Sequence, residues 1–119
     1  MYSAQLLDHF QNPRNVGDIV DADARAEIEN PACGDVLRLT FKIIGERIVR
    51  VQFKAKGCVA TIACASALTE LVVGKTPREA QKLRREDLST AVGGLPQAST
   101  HAAQLALDAL LAGLRSIVT

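Results

Sequence analysis

Tryptophan is absent from this 119-residue chain, and the aromatic complement is one Tyr and three Phe. So few rings argue against a surface that stacks nucleic-acid bases. Neither sign of charge dominates: 14 Lys and Arg face 13 Asp and Glu, a formal net charge of +1. Bulk charge therefore marks neither a nucleic-acid nor a membrane-surface binder. No apolar run approaches the ~20 residues that span a bilayer. Met1 to Gln5 carries neither a basic region nor an apolar one, so no secretory leader is read there. The expectation is a cytoplasmic chain of one domain, residues 1–119, with no membrane and no nucleic-acid partner. Cysteine is scarce as well, and its three copies, Cys33, Cys58 and Cys64, are an odd number. A disulfide framework is a poor account of them in a reducing compartment. Metal ligands, nucleophiles or inert buried thiols remain.

What is present is regular patterning. Leu6, Leu7 and Phe10 recur at helical spacing after Ser3, a suitable N-cap, and Pro13 closes that helix. A short strand is predicted over Ala24 to Glu29. Leu37, Leu39, Phe41 and Ile43 then alternate with Arg38, Thr40 and Lys42. Val49, Val51, Phe53 and Ala55 do the same with Arg50, Gln52, Lys54 and Lys56. Two period-two runs about Gly45-Glu46 predict an antiparallel hairpin with one apolar and one basic face. The basic face is expected to be solvated, and helices must cover the apolar one. Val59 to Val73 predicts a buried helix closed by Gly74. Thr76-Pro77-Arg78-Glu79 has the form of a capping box with proline at the first helical position. A further short helix is expected within Arg84 to Val92. In the last helix, capped by Ser99 or Thr100, Ala103, Leu107, Leu110, Leu114 and Ile117 make one apolar stripe. The fold class is α+β: a small three-stranded antiparallel sheet, one face covered by helices, with a long C-terminal helix.

Cys33 precedes the first strand of the hairpin and Cys58 follows the second, so antiparallel pairing brings both thiols to one end. Gly34 permits a tight turn beside Cys33, and Asp35 adds a hard oxygen ligand. Cys58 opens a helix, whose terminal amides favour thiolate, and Lys56 beside it is a tuning cation. His101, at the start of the last helix, can reach the same end. Two thiolates, a carboxylate and an imidazole suit zinc, or part of an iron–sulfur ligand set. Spacing alone leaves inert thiols open as the alternative. Cys64 is six residues beyond Cys58, far around a helix from it, and sits among alanines as a small buried hydrophobe would. His9, between Asp8 and Phe10, is read as structural.

Three strings go further: Asp8 to Gly17 (DHFQNPRNVG), Asn30 to Asp35 (NPACGD) and Phe53 to Cys58 (FKAKGC). Together with Gly74-Lys75-Thr76 and Leu105 to Leu110, they closely resemble the IscU/NifU-type iron–sulfur cluster scaffold family, from Tyr2 to about Arg115. The resemblance implies a scaffold, not an enzyme. Sulfur from a cysteine desulfurase and iron from a donor are built on it into a [2Fe–2S] cluster for acceptor apoproteins, and zinc can occupy the same pocket. Cys33 and Cys58 match two of the family's three cysteine ligands, Asp35 the aspartate that keeps the site labile, and His101 the histidine before the third cysteine. That third cysteine is Ala102 here. The element read in the family by a specialised DnaK-type chaperone is reduced to Leu95-Pro96-Gln97-Ala98-Ser99, which puts that partner in question. Tyr2 has a family role in sulfur transfer or self-association; a frayed terminus is the alternative. The chain is expected to be a monomer or weak homo-oligomer. Two further readings stay open. One is a zinc-bound persulfide acceptor, although the family's zinc branch carries an insertion that this chain lacks. The other is a paralogue that docks without binding a cluster.

Overall fold

A computed structural model describes residues 1–31 and 33–117. The elements are α1 (Ala4–Gln11), β1 (Ala24–Glu29), β2 (Val36–Ile44), β3 (Arg47–Lys56), α2 (Val59–Val72), α3 (Pro77–Ala80), α4 (Arg85–Ala91), a 3-10 turn (Gln97–Ser99) and α5 (Thr100–Arg115). The three strands form one antiparallel sheet in the order β1-β2-β3. Helices cover one face, with α5 against β1 and β2, and α2 against β3, α1 and α5. This is the α+β arrangement the alternating runs predict.

Local chemistry accounts for most boundaries. Ser3 caps α1 by accepting from the Leu6 amide, and its hydroxyl donates to the Val92 carbonyl, tying the N-terminus to the end of α4. Gly45 has φ 64, the positive value that a type II′ hairpin loop needs at its first position. Thr76 and Glu79 form the full capping box, with Pro77 inside it. Ten of the fourteen residues of α2 are buried, because sheet, α1, α4 and α5 surround it. Small residues on all sides make that enclosure possible. Phe41, Leu37, Leu39, Ile48, Leu68 and Leu110 are among the largest fully buried side chains.

Three expectations change. The cap of α5 is not a side-chain cap: Ser99 occupies the position without such a bond, and Thr100 Oγ1 donates back to the Gln97 carbonyl within the 3-10 turn. Val49, expected on the apolar face of the hairpin, is exposed, because a register shift between Lys42 and Ile43 turns Ile48 inward in its place; Tyr2, at the N-terminus, packs on the core. The basic sheet face is also only partly solvated. Residues 18–23 cross it, with Asp18 on Arg38 and Asp21 on Lys42 (both 3.1 Å) and the Ile19 amide on the Thr40 hydroxyl (3.0 Å). Ile19 and Thr40 are buried as a result, whereas Arg50, Lys54 and Lys56 stay exposed.

The Asn12-Pro13-Arg14-Asn15 turn latches α1 to the rest. Arg14 bonds Asp8 at 2.6 Å, and its amide donates to Ser66 Oγ on α2. Asn15, at φ 59, donates from its side chain to Thr69 and accepts at its carbonyl from the Phe53 amide. Asparagine tolerates that left-handed conformation better than most residues. Beside the latch, His9 Nδ1 lies 2.8 Å from Ser66 Oγ. Burial foremost, then Arg14, hold its pKa below the ordinary value, while Glu70 and Asp8 act in the opposite sense. The unfolded chain therefore binds the proton more readily, and stability rises with pH across the interval between the folded and unfolded values. Thermal midpoints of the wild type should fall as the pH is lowered through about 6.5. The His9→Gln variant should show a flatter dependence over that interval; parallel curves would refute the assignment.

Candidate metal centre

The β2–β3 register pairs Val36 with Lys56, which sets the residues before β2 beside those after β3. Cys33 lies in the loop entering β2, which is closed by backbone bonds from the Asn30 amide to the Asp35 carbonyl and from the Gly34 amide to the Asn30 carbonyl. Gly34 takes φ 76 there, a left-handed conformation that glycine adopts at little cost. Cys58 is the N-cap of α2, and His101 sits in the first turn of α5.

These elements converge. Cys33 Sγ, an Asp35 carboxylate oxygen and a His101 ring nitrogen all lie within 4.8 Å of one another. His101 Nε2 is 3.9 Å from both Cys58 Sγ and Asp35 Oδ2. Its Nδ1 is 3.2 Å from the Ala98 carbonyl. A carbonyl can only accept, so Nδ1 carries the proton. With Nδ1 so engaged, Nε2 faces Cys58 Sγ and Asp35 Oδ2, the orientation that an outer-shell carbonyl gives a ligating histidine. Exposure grades across the group: Cys33 is exposed, Cys58 and His101 intermediate, and Asp35 only 5% accessible. A groove of about 340 Å³ opens beside His101, between Ile28, Glu29 and Pro31 on one side and Leu105 and Asp108 on the other. The centre therefore meets solvent along one edge.

Asp35 is held from two sides. Thr61 Oγ1 donates to its Oδ2 at 2.6 Å. Behind it lies Gly57, where an added Cβ would come within 2.6 Å of Asp35 Cγ and Oδ1. Thr61 Oγ1 also lies 3.3 Å from Cys58 Sγ. The sequence reading did not single out Thr61. Its signal was the i+3 spacing from Cys58, which puts both on one side of the first turn of α2. Lys56 is exposed at the end of β3. Cys64 is fully buried and outside the group, its thiol pushed up to about 12, chiefly by burial and further by Cys58. Ala102 is 1% accessible and packs in the same core cluster.

A small α+β fold that gathers two thiols, an imidazole and a carboxylate at one end of a hairpin has the donor set of a metal- or cluster-binding class of protein. The comparisons specify it: the chain belongs to the NifU-like N-terminal domain family, whose model matches residues 1–117. It is 47% identical over 110 residues to the iron–sulfur cluster assembly scaffold protein IscU 1 of Archaeoglobus fulgidus, covering 92% of this chain and 72% of the relative. It is 38% identical over 117 residues to the scaffold protein IscU of Escherichia coli K12, covering 95% and 91%. The fold is likewise that of FiSufU from Fervidobacterium islandicum AW-1, with a TM-score of 0.78 at 24% identity and coverage of 95% and 96%. Among the described residues, no helix is long and apolar enough to cross a membrane.

Proposed function

We propose that this chain, acting as one domain, is an iron–sulfur cluster assembly scaffold. Its cargo, a [2Fe–2S] cluster, is held by Cys33, Asp35, Cys58 and His101 and passed on to acceptor proteins. The convergence of those four side chains at one partly open end of the hairpin carries the reading. Four protein ligands are what two bridged irons require, and imidazole replaces thiolate in known cluster chemistry. A carboxylate is a harder and weaker partner for these irons than thiolate, so the set suits a cluster that must leave. Sulfur would come from a cysteine desulfurase. Cys64 has no place in the set, because it is fully buried on α2 and lies outside the group of converging side chains. The compactness of the Cys33–Asp35–His101 group favours a second reading as well. One tetrahedral Zn²⁺ fits an S₂NO set, and would make the chain a zinc-bound persulfide acceptor.

The test is iron, zinc and acid-labile sulfide content after purification without oxygen, before and after reconstitution. The expected result is iron and sulfide in near-equal amounts with visible charge-transfer absorption. Both should be lost in Cys33→Ser and retained in Cys64→Ser. Zinc alone would replace the scaffold with the persulfide acceptor, and no metal in any preparation would leave only a docking role.

A further inference from the structure

We infer that Thr61 is the positioning residue of this centre, holding the Asp35 carboxylate in place through its hydroxyl; the inference rests on the ligand set proposed above. Thr61 is 1% accessible and sits one turn into α2, three residues past Cys58. A threonine in a helix commonly turns its hydroxyl back onto a preceding carbonyl. Here the hydroxyl instead donates to Asp35 Oδ2 at 2.6 Å, from the helix to the loop that enters β2.

A hydroxyl has one proton and two lone pairs. That proton is given to Asp35, so the same oxygen holds Cys58 Sγ, 3.3 Å away, only while Cys58 is a thiol that donates to it. The Cys58 thiolate, the form that binds metal, takes no hydrogen bond from Thr61, and the Asp35 carboxylate is the ligand that Thr61 holds. On the side of Oδ1 the carboxylate borders Gly57, where even an added Cβ would come within 2.6 Å. Outer-shell partners that orient a ligand in this way typically contribute 10–100-fold in metal affinity. Thr61 touches no cargo in this arrangement; it acts through Asp35.

The experiment uses Co²⁺ as the probe, with affinity measured by chelator competition and coordination read from the thiolate-to-cobalt and ligand-field absorption bands. Thr61→Val keeps the side-chain volume and removes the hydroxyl. It should weaken Co²⁺ binding about 10–100-fold and shift the ligand-field bands while the thiolate band persists. Thr61→Ser should bind within about threefold of wild type, since it restores the donor. In an Asp35→Ala background, Thr61→Val should add little further loss, the mark of two residues acting as a unit. Circular dichroism checks the fold of each variant. If Thr61→Val does not fold, Thr61→Ala, which leaves room for a water, repeats the comparison. Wild-type affinity in the hydroxyl-less variant would overturn the inference, as would an undiminished loss without Asp35. Co²⁺ binding that Cys33→Ser does not affect would overturn the ligand set as well. Loss in Cys33→Ser with none in Thr61→Val would overturn only the role of Thr61.

Discussion

Phe41→Ala is expected to lower the free energy of unfolding by about 3–5 kcal/mol, the usual cost of truncating a fully buried aromatic ring. The ring is held at mid-strand in β2, between β1 and β3, and lies under the C-terminal half of α5. Its helical neighbour there is Gly113, where an added Cβ would overlap the Phe41 ring edge. Helix propensity alone predicts that Gly113→Ala stabilises the chain by about 1 kcal/mol. The overlap predicts the opposite, a loss of about 1–3 kcal/mol, because a packed core has no free volume to receive a methyl group. In the Phe41→Ala background the conflict disappears. The new methyl then enters vacated space, and Gly113→Ala should become stabilising. Urea unfolding of the four proteins of this cycle decides the matter. Stabilisation by Gly113→Ala in the wild type would show that α5 does not approach the sheet this closely.

The same contact shows why part of the fold was readable in one dimension and part was not. Alternation along Leu37 to Phe41 and Val51 to Ala55 specifies which face of each strand is buried, but it fails near the loop, where a register shift between Lys42 and Ile43 turns Val49 outward and Ile48 inward. The convergence of Cys33 and Cys58 follows from the antiparallel pairing, so the two thiols were legible before any coordinates. Helix starts at Ser3 and Thr76 were legible for the same reason: capping is a local hydrogen-bond problem with few side-chain solutions. The path of residues 18–23 over the basic face was not. It depends on Asp18 and Asp21 meeting Arg38 and Lys42 twenty-odd residues away, and no local period encodes such pairs. That His101 can reach the thiols was read from its place at the start of α5, but nothing in the spacing of α5 aims its first turn at the hairpin, and the family resemblance is what matched it to the site. Thr61 escaped notice because its partner, Asp35, lies 26 residues earlier on another element. Asp35 itself was legible as a donor, but its burial was not, because only the packing of Gly57 and α2 around it creates that burial.

Gly57→Ala turns that packing into the sharpest test of the centre. Gly57 does not belong to the glycines with positive φ, unlike Gly34 and Gly45. Alanine there meets no backbone penalty, and the effect of the substitution reduces to its new methyl group. That methyl would lie 2.6 Å from Asp35 Cγ and Oδ1 and 3.0 Å from its Cβ, far inside contact distance. Either the carboxylate rotates away from Thr61 or the β3–α2 corner shifts and carries Cys58 with it. Both movements pull a ligand out of the group that also contains Cys33 and His101. The expected outcome is a loss of about 10–100-fold in Co²⁺ affinity. Fold stability should change far less than in Phe41→Ala, because the contact lies at the edge of the core. The two effects separate by experiment: Co²⁺ competition reads the centre, and urea unfolding of the metal-free protein reads the fold. The double variant Gly57→Ala/Asp35→Gly removes the opposing side chain. It should restore an unstrained corner while leaving metal affinity low, which would place the whole effect of the methyl on the Asp35 carboxylate. Unchanged affinity in Gly57→Ala would mean that Asp35 is not a ligand and that the remaining three side chains hold the cargo without it.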